Sequence, residues 1–238
     1  CGPPNAGKTP LMRVVVGLED HTDGDVLIDD TVVNAVSTRQ RDLSMVFADY
    51  ALHPHLDVYD NLAFAARLRR GRDDDTVDDR VEGVAAFLAL DRVIEDKPSE
   101  LDESKKQRVA IGRALVRDAK GYLFDEAFSA QNERVRAHVR SVTTEWQNDR
   151  LRTSIFTTSD PHEALTLADQ VAVMHQGRVH QVGSPRELYD RPADLFVAPF
   201  VGAPPMNLIP ARVSDTQLVL PLTTVLLDDA MRQRVGGR

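Results

Sequence analysis

The sequence lacks several features that would each define a class of protein. A single cysteine, Cys1, permits neither a disulfide framework nor a cysteine metal site, and it fits a reducing cytosol. No apolar run approaches the length of a transmembrane helix, and no signal-peptide pattern is present. Basic charge is in deficit, because the net charge is −8, and nucleic-acid binding needs a basic face. We therefore expect a cytoplasmic protein without a nucleic-acid partner, and any role at a membrane would require another subunit.

The chain does contain the composition of an ordinary globular protein with alternating strands and helices. Hydrophobic residues make up 42% and charged residues 28% of its 238 residues, which suits one large domain, or one domain and part of a second. Apolar spacing predicts helices at 11–18, 57–68, 76–90, 105–117, 132–146 and 162–168. Strands are predicted at 24–29, 43–47, 121–126, 154–158, 171–174 and 178–182. The alternation predicts an α/β fold with a largely parallel core sheet, and the Pro-rich stretch 203–207 predicts a boundary.

The first ten residues form the motif on which the functional interpretation depends. Gly2, four further residues and then Gly7-Lys8-Thr9 match a phosphate-binding loop that opens a helix. Such a loop wraps a polyphosphate with backbone N–H groups, while Lys8 would contact the β- and γ-phosphates of ATP and the Thr9 hydroxyl would hold Mg²⁺. The alternative is a glycine turn before an amphipathic helix. The residues that we assign to nucleotide binding are Gly2, Asn5, Ala6, Gly7, Lys8, Thr9 and Pro10.

Two positions in this loop are unusual, and so is its place in the chain. Asn5 stands where glycine is common, although asparagine tolerates left-handed geometry. Pro10 removes one N–H donor, but proline suits the first turn of a helix, so we expect the helix to form. A strand normally leads into such a loop and here none does, so we expect a fragment that lacks its N-terminal strands.

A second chemical element lies at the end of the predicted strand 121–126. Asp125 and Glu126 follow an apolar run, which is where a phosphate-loop enzyme has its metal-binding and water-activating acids. Asp125 would hold Mg²⁺, and Glu126 would orient or deprotonate the attacking water. The alternative is a solvated turn that begins with two acids. The two motifs support each other, because phosphoryl transfer needs both a phosphate cradle and a metal with a water-activating group.

Three further runs carry a resemblance to a known family. These are Tyr50-Ala51-Leu52-His53-Pro54-His55-Leu56-Asp57-Val58-Tyr59, Gln107-Arg108-Val109-Ala110-Ile111-Gly112-Arg113-Ala114-Leu115, and the stretch from Gln181 through Pro192 to Asn207. With the loop and the acids, they make the chain resemble the nucleotide-binding subunit of an ATP-binding cassette transporter of the bacterial sugar and glycerol-phosphate import type.

This resemblance implies a domain organisation and partners. It implies an ATP-binding domain at 1–203 with a helical subdomain near 50–118, and the start of a C-terminal oligonucleotide-fold-like β domain at 204–238. It also implies a dimer in which each ATP lies between one phosphate loop and the signature helix of the second ATP-binding subunit. Transmembrane permease subunits would contact the groove beside Ala48, so the protein would be peripheral on the inner face of the cell membrane.

Several positions depart from the family pattern. Ala48 replaces a glutamine that would bind Mg²⁺, Asn132 replaces an aspartate, and Ser159 replaces the histidine that would contact the γ-phosphate. The Leu-Ser-Gly-Gly-Gln signature reads Leu101 followed by Asp102, Glu103, Ser104 and Lys105. Asp102 and Glu103 would bring negative charge to the helix terminus that should face the partner's γ-phosphate, while Asp102 would cap its own helix.

The retained and replaced residues suggest two functions from different classes. One is an importer ATPase subunit with weakened hydrolysis, since Lys8, Thr9, Asp125 and Glu126 are all present. The other is a non-catalytic assembly or regulatory subunit, or a decaying paralogue, that binds nucleotide without useful turnover.

Overall fold

A computed structural model describes residues 1–70, 75–127, 153–213, 216–221 and 223–228. The predicted helix at 132–146, including Asn132, lies outside these residues. The described part divides into two compact units, Cys1–Pro185 and Arg186–Arg238. No helix among the described residues combines the length and the apolar character needed to cross a bilayer.

The first unit contains the predicted alternation of strands and helices. Its helices are α1 (Lys8–Val16), α2 (Thr38–Arg41), α3 (Val58–Arg70), α4 (Asp75–Phe87), α5 (Glu103–Val116) and α6 (Pro161–Leu167). Its strands are β1 (Leu27–Ile28), β2 (Thr31–Val32), β3 (Leu43–Val46), β4 (Gly121–Asp125), β5 (Thr153–Thr157), β6 (Val171–His175) and β7 (Arg178–Gly183).

A parallel sheet of order β3-β4-β5 forms the centre of this unit. All five residues of the middle strand β4 are buried, as expected for a parallel strand covered on both faces. The register pairs Asp125 at the end of β4 with Thr157 at the end of β5. The predicted parallel core is confirmed, and its carboxyl-terminal edge brings Asp125 beside β5.

The loop that opens the chain lies between this sheet and the hairpin formed by β6 and β7. Gly2 N donates to Thr158 O over 3.2 Å, and Met174 N donates to Cys1 O over 2.8 Å. At the hairpin tip, Gln176 and Gly177 have φ of 50° and 75°, which is the geometry of a two-residue type I′ turn. The phosphate-loop motif is therefore held by backbone contacts on both sides.

Helices α3, α4 and α5 pack together over an apolar core. Leu62, Leu88 and Val84 from the first two helices and the following turn surround Gly112 of α5. A Cβ atom at Gly112 would lie 2.6 Å from Leu62 Cδ2, so the Leu62 side chain would have to move to admit any other residue here. These helices lie within 50–118, and the helical subdomain that the family resemblance implies there stays a prediction.

The second unit contains short elements. They are α7 (Pro185–Asp190, which begins at the boundary), α8 (Val197–Val201), β8 (Arg212–Val213), β9 (Gln217–Val219) and β10 (Thr224–Leu226). The three strands form an antiparallel sheet of order β10-β9-β8. The Pro-rich stretch 203–207 lies inside this unit, so the domain limits of 1–203 and 204–238 stay a prediction, as does the oligonucleotide-like fold.

The predicted strand at 24–29 is wrong in extent. The chain turns back at Asp29 and Asp30, whose φ angles of 50° and 59° are left-handed, and it forms the short hairpin of β1 and β2. Aspartate tolerates this geometry better than most residues. The sequence interpretation also missed α2, α7 and α8, which have four, six and five residues and are too short for a clear helical period.

Candidate functional site

The phosphate-loop motif folds into a tight turn that ends at the N-terminus of α1. Asn5 and Gly7 have φ of 62° and 96°, which confirms that position 5 requires left-handed geometry. Gly7 is the N-cap of α1 and provides no side-chain hydrogen bond to the first turn. The N–H groups of Lys8 and Thr9 are therefore available at a positive helix terminus. Pro10 lies in the first turn without breaking the helix, as predicted.

The tip of the hairpin between β6 and β7 supports the loop from behind. Gly177 N donates to Ala6 O over 3.0 Å. A Cβ atom on Gly7 would lie 3.2 Å from Gly177 Cα, so the two glycines allow a close backbone approach. The shape of the loop thus depends on a residue far away in sequence.

Lys8 joins the loop to the acids at the end of β4. Its Nζ donates to Gly2 O over 2.8 Å and to Pro3 O over 3.0 Å, and it lies 3.2 Å from Glu126 Oε1. Lys8 is buried, with 5% of its surface exposed. An ammonium group has three donors, and these three oxygens can use all of them. The structure therefore brings Gly2, Lys8 and Glu126 together, as the two motifs require.

Asp125 and Glu126 are held by Thr157 across the sheet. Asp125 is buried, and its Oδ1 accepts a 2.7 Å hydrogen bond from the Thr157 hydroxyl. Glu126 N donates to Thr157 Oγ1 over 3.0 Å and to Thr157 O over 3.2 Å. The φ of Glu126 is 48°, a left-handed conformation that is uncommon for a residue with a side chain.

The oxygen donors at this place suit Mg²⁺. The hydroxyl of Thr9 and the carboxylate of Asp125 are hard ligands of the kind that Mg²⁺ prefers. Within the ranges that the structure describes, no group of three or more His, Cys, Asp or Glu side chains forms a metal site alone.

Gln107 of α5 contacts the same region, although the sequence interpretation gave it no role at the site. Its side chain is 1% exposed, and its Nε2 donates to the carbonyl oxygen of Ala127, the residue after Glu126. The sequence signal for Gln107 was its place at the start of a run that carries the family resemblance. Thr157 gave no signal, because one more threonine in a strand is ordinary.

The stretch 102–105 forms a capped helix terminus at the start of α5. Asp102 Oδ1 accepts a 2.8 Å hydrogen bond from Lys105 N, which confirms that Asp102 caps its own helix. That hydrogen bond is the main reason why the pKa of Asp102 is lowered. Lys105 Nζ lies 3.3 Å from Asp102 Oδ2, and Lys106 Nζ lies 2.8 Å from Glu103 Oε1. The expected excess of negative charge is thus balanced locally by two lysines.

The remaining replaced positions lie just after two strands and in the first turn of α5. Ala48 is exposed after β3, Ser159 is exposed after β5, and Ser104 is half-buried in the first turn of α5. In the described part of the chain, no hydrogen bond or ion pair links residues 102–105 or Ala48 to the phosphate loop. The structure therefore brings Lys8 to Glu126, while Ser159 follows Thr158, whose carbonyl oxygen accepts a hydrogen bond from Gly2 N.

Two grooves are lined by residues of the first unit. One has a volume of about 280 Å³. Its lining is apolar apart from two hydroxyls and two guanidinium groups, and comprises Val16, Leu18, Thr38, Leu43, Ser44, Met45, Phe47, Ala65, Arg113, Ala114 and Arg117. Burial lowers the pKa of Arg113, and the charge of Asp49 acts in the opposite direction. The second groove, of about 240 Å³, is lined by Leu56, Asp60, Phe64, Arg67 and Leu68.

Comparison with known proteins assigns the chain to a family. Residues 1–129, more than half of the chain, match the ABC transporter family, and the chain belongs to it. The sn-glycerol-3-phosphate import ATP-binding protein UgpC of Bordetella pertussis is 42% identical over 240 residues, covering 100% of this chain and 66% of the relative. The multiple sugar-binding transport ATP-binding protein MsmK of Streptococcus mutans is 43% identical over 228 residues, covering 92% and 60%. The chain thus spans less than two thirds of the length of either relative.

A solved structure agrees with the fold. A dimeric ATP-binding cassette bound to ADP and phosphate matches with a TM-score of 0.69 at 22% identity, covering 78% of this chain and 83% of that one. At this identity the likeness shows the fold alone. It confirms the predicted phosphate-loop α/β fold class, and the two relatives confirm the resemblance to sugar and glycerol-phosphate importers.

Proposed function

We propose that this chain is the ATP-binding subunit of an importer for glycerol phosphate, a sugar or a related solute. It would bind ATP with Mg²⁺ and couple binding and slow hydrolysis to transport. The observation that carries this proposal is the convergence of Lys8, Asp125 and Glu126, with Lys8 Nζ 3.2 Å from Glu126 Oε1. The names of the relatives, which are import ATP-binding proteins for such solutes, support the same assignment.

Nucleotide binding would use the loop and the first turn of α1. Phosphate oxygens would replace Glu126 and the carbonyls of Gly2 and Pro3 as partners of Lys8 Nζ. The other loop residues assigned to the nucleotide, Asn5, Ala6, Gly7, Thr9 and Pro10, would line the phosphates with backbone atoms. Because Gly7 leaves the helix terminus without a side-chain cap, an anion meets no competing carboxylate there.

The acids at the end of β4 would supply the second half of the reaction. Thr9 and Asp125 would hold Mg²⁺, which when bound neutralises charge that develops on the phosphates. Glu126, released from Lys8, would orient the attacking water and accept its proton. The left-handed φ of Glu126 and the two hydrogen bonds from its amide to Thr157 fix the backbone from which this side chain extends.

Hydrolysis would be slow because groups outside this cluster are replaced. Ala48 has no polar side chain, and the hydroxyl of Ser159 sits on a shorter side chain than the histidine that it replaces. The loss of one donor to a transition state typically costs about 10²–10³ in rate. The N-terminus of α5 is filled by the carboxylate of Asp102, so it has less capacity to bind the partner's nucleotide. Asn132, the fourth replacement, lies outside the described residues.

The partners follow from the same proposal. A second ATP-binding subunit, identical or different, would complete the nucleotide site. Permease subunits would contact the two grooves, which are lined in part by Phe47 and by Leu56 and Phe64. The protein would then work in the cytoplasm, peripheral on the inner face of the membrane. Leu56→Glu should abolish co-purification with the permease and leave nucleotide affinity unchanged. Retained co-purification would count against this surface.

A second candidate function is a non-catalytic assembly or regulatory subunit. The capped terminus of α5 favours it, because Asp102 already satisfies the N–H group of Lys105. Such a subunit would still bind nucleotide through Lys8. The two candidates therefore differ in turnover and not in binding.

The test is a multiple-turnover ATPase assay on the protein with its permease partners. We expect hydrolysis well below the ~1–10 s⁻¹ that is ordinary for enzymes. Glu126→Gln should remove most of the residual rate, whereas Glu82→Gln, on the exposed face of α4, should not change it. Turnover of ~1–10 s⁻¹ by the unmodified protein would overturn the slow-hydrolysis part. Absence of any ATP binding would overturn the whole proposal.

A further inference from the structure

The hydroxyl group of Thr157 forms hydrogen bonds with both Asp125 and Glu126. Thr157 is the last residue of β5 and lies directly opposite Asp125 in the parallel register. Its Oγ1 lies 2.7 Å from Asp125 Oδ1 and 3.0 Å from Glu126 N. Among the residues that the structure describes, no other side chain donates or accepts hydrogen bonds with both Asp125 and Glu126. Thr157 ends β5 and lies two positions before Ser159.

The direction of these hydrogen bonds is fixed by chemistry. The amide of Glu126 can only donate, so Thr157 Oγ1 accepts from it. A hydroxyl has one proton, and an ionised carboxylate can only accept, so that proton goes to Asp125 Oδ1. The two hydrogen bonds therefore run in one direction, from the Glu126 amide to the Thr157 hydroxyl and from that hydroxyl to Asp125. Hydrogen bonds aligned in this way strengthen one another.

This chain of hydrogen bonds sets the geometry of both acids. Asp125 is buried, and one oxygen is held by Thr157, so the carboxylate has a fixed orientation and its other oxygen is available to a metal ion. Glu126 has a left-handed φ of 48°, which is costly for a residue with a Cβ atom. The hydrogen bonds from its amide to Thr157 Oγ1 and Thr157 O help to stabilise this conformation.

The neighbouring threonine has a different role, which makes the role of Thr157 specific. The Thr158 hydroxyl donates to Glu163 Oε2 and accepts from Asp160 N over 3.0 Å. It therefore organises the start of α6 and does not contact Asp125 or Glu126. A threonine at the end of β5 is thus not sufficient, and the register of position 157 decides the contact.

We propose that Thr157 is a positioning residue that orients Asp125 toward Mg²⁺ and holds the backbone of Glu126 in its working conformation. This inference rests on the proposed binding of nucleotide and Mg²⁺ at this site. Thr157 itself touches neither. Its removal should therefore weaken the contribution of Mg²⁺ to nucleotide binding and leave metal-free binding, which depends on Lys8 and the loop, unchanged.

The test compares Thr157→Val with Thr157→Ser and with Thr153→Val, the same change at an exposed position of the same strand. Affinity for ADP is measured by calorimetry in EDTA and in MgCl₂, so that hydrolysis plays no part. In Thr157→Val the gain in affinity on adding Mg²⁺ should fall about tenfold, the size expected for one hydrogen bond to a charged group. Thr157→Ser, which keeps the hydroxyl, should restore it, and Thr153→Val should behave as the wild type.

A second measurement does not depend on nucleotide. Hydrogen exchange of the Glu126 amide in the nucleotide-free protein should be faster in Thr157→Val than in the wild type, and Thr157→Ser should restore its protection. An unchanged Mg²⁺ gain and unchanged exchange in Thr157→Val would overturn the inference. Failure of Thr157→Ser to restore either would overturn it as well.

If Thr157→Val does not fold, the same comparison is made with Thr157→Ala. A wild-type protein that binds no ADP would instead refute the proposed function, and the exchange measurement would still decide the role of Thr157 in holding Glu126.

Discussion

The N-termini of α1 and α5 differ in the residue that caps them. At α1 the N-cap is Gly7, which has no side chain to fill the positive end of the helix. At α5 the N-cap is Asp102, whose carboxylate accepts a hydrogen bond from Lys105 N. A helix N-terminus binds an anion, and the cap decides whether that anion comes from the protein or from a ligand. One terminus is open to phosphate, and the other carries its own anion.

The electrostatic surroundings of the two termini differ in the same sense. Lys8, the first residue of α1, is buried, and its Nζ contacts Glu126 and two loop carbonyls. Phosphate oxygens can replace all three of these partners. At α5, the acids Asp102 and Glu103 are exposed and pair with lysines of the same turn. Exposed pairs of this kind contribute little to stability. Under the proposed function, binding of nucleotide by this chain and clamping of the partner's nucleotide would be separable properties.

The largest expected effect comes from removing the difference between the two termini. Restoring Ser-Gly-Gly-Gln at 102–105 together with Ala48→Gln and Ser159→His should raise ATP turnover at least ~10²-fold, since one recovered transition-state donor can give that much. Steady-state assays with the permease partners measure it. Each reversion alone should do much less, because residues that act as a unit are not additive. A combined variant no faster than the wild type would show that the replaced positions do not limit hydrolysis.

A smaller effect is expected at the open terminus. Lys8→Met should weaken Mg·ATP binding by about 10–100-fold, the range for hydrogen bonds to charged groups. Calorimetry measures it, with Lys120→Met as the matched control, since Lys120 is an exposed lysine that pairs with Asp29. Equal affinity in Lys8→Met and the wild type would mean that the loop does not receive the phosphates. Binding to the α5 terminus is not expected to change in either variant.

The smallest effect concerns the closed terminus. Asp102→Ala should lower the free energy of unfolding by about 1 kcal/mol at neutral pH, as is typical for the loss of an N-cap. The pKa of Asp102 is lowered in the folded protein, chiefly by the hydrogen bond from Lys105 N. The contribution of the carboxylate is therefore fully present above the unfolded pKa of about 4, and it is lost as the pH falls through the folded value.

Urea unfolding at several pH values separates this effect from general acid destabilisation. The difference between the wild type and Asp102→Ala should shrink at low pH. Asp102→Asn, which also caps a helix but does not titrate, should keep its stability relative to Asp102→Ala at every pH. A difference that does not depend on pH would show that the cap acts without its charge.

The open terminus could be predicted from the sequence, because its pattern is local. The motif spans eight consecutive residues, from Gly2 to Thr9, so its spacing alone predicts its geometry. Asp125 and Glu126 were predicted from an apolar run that ends in acids. The cap by Asp102 was also local, since an N-cap bonds within three residues of itself.

Contacts between distant parts of the chain could not be predicted in this way. Thr157 reaches Asp125 through the register of two parallel strands, and no local pattern fixes that register. Gln107 meets Ala127, and Gly177 meets Ala6, only because the elements pack as they do. The turn at Asp29 and Asp30 was missed because neither residue is a glycine, which would have indicated left-handed φ angles.

The glycine at position 112 has a consequence for how this domain can move. Since Leu62 and Leu88 occupy the space where a Cβ atom would lie, α5 and α3 pack with little free space at this point. We therefore expect a displacement of α3 to carry α5 with it. Gly112→Ala should displace Leu62 and Leu88 and loosen this contact between the helices.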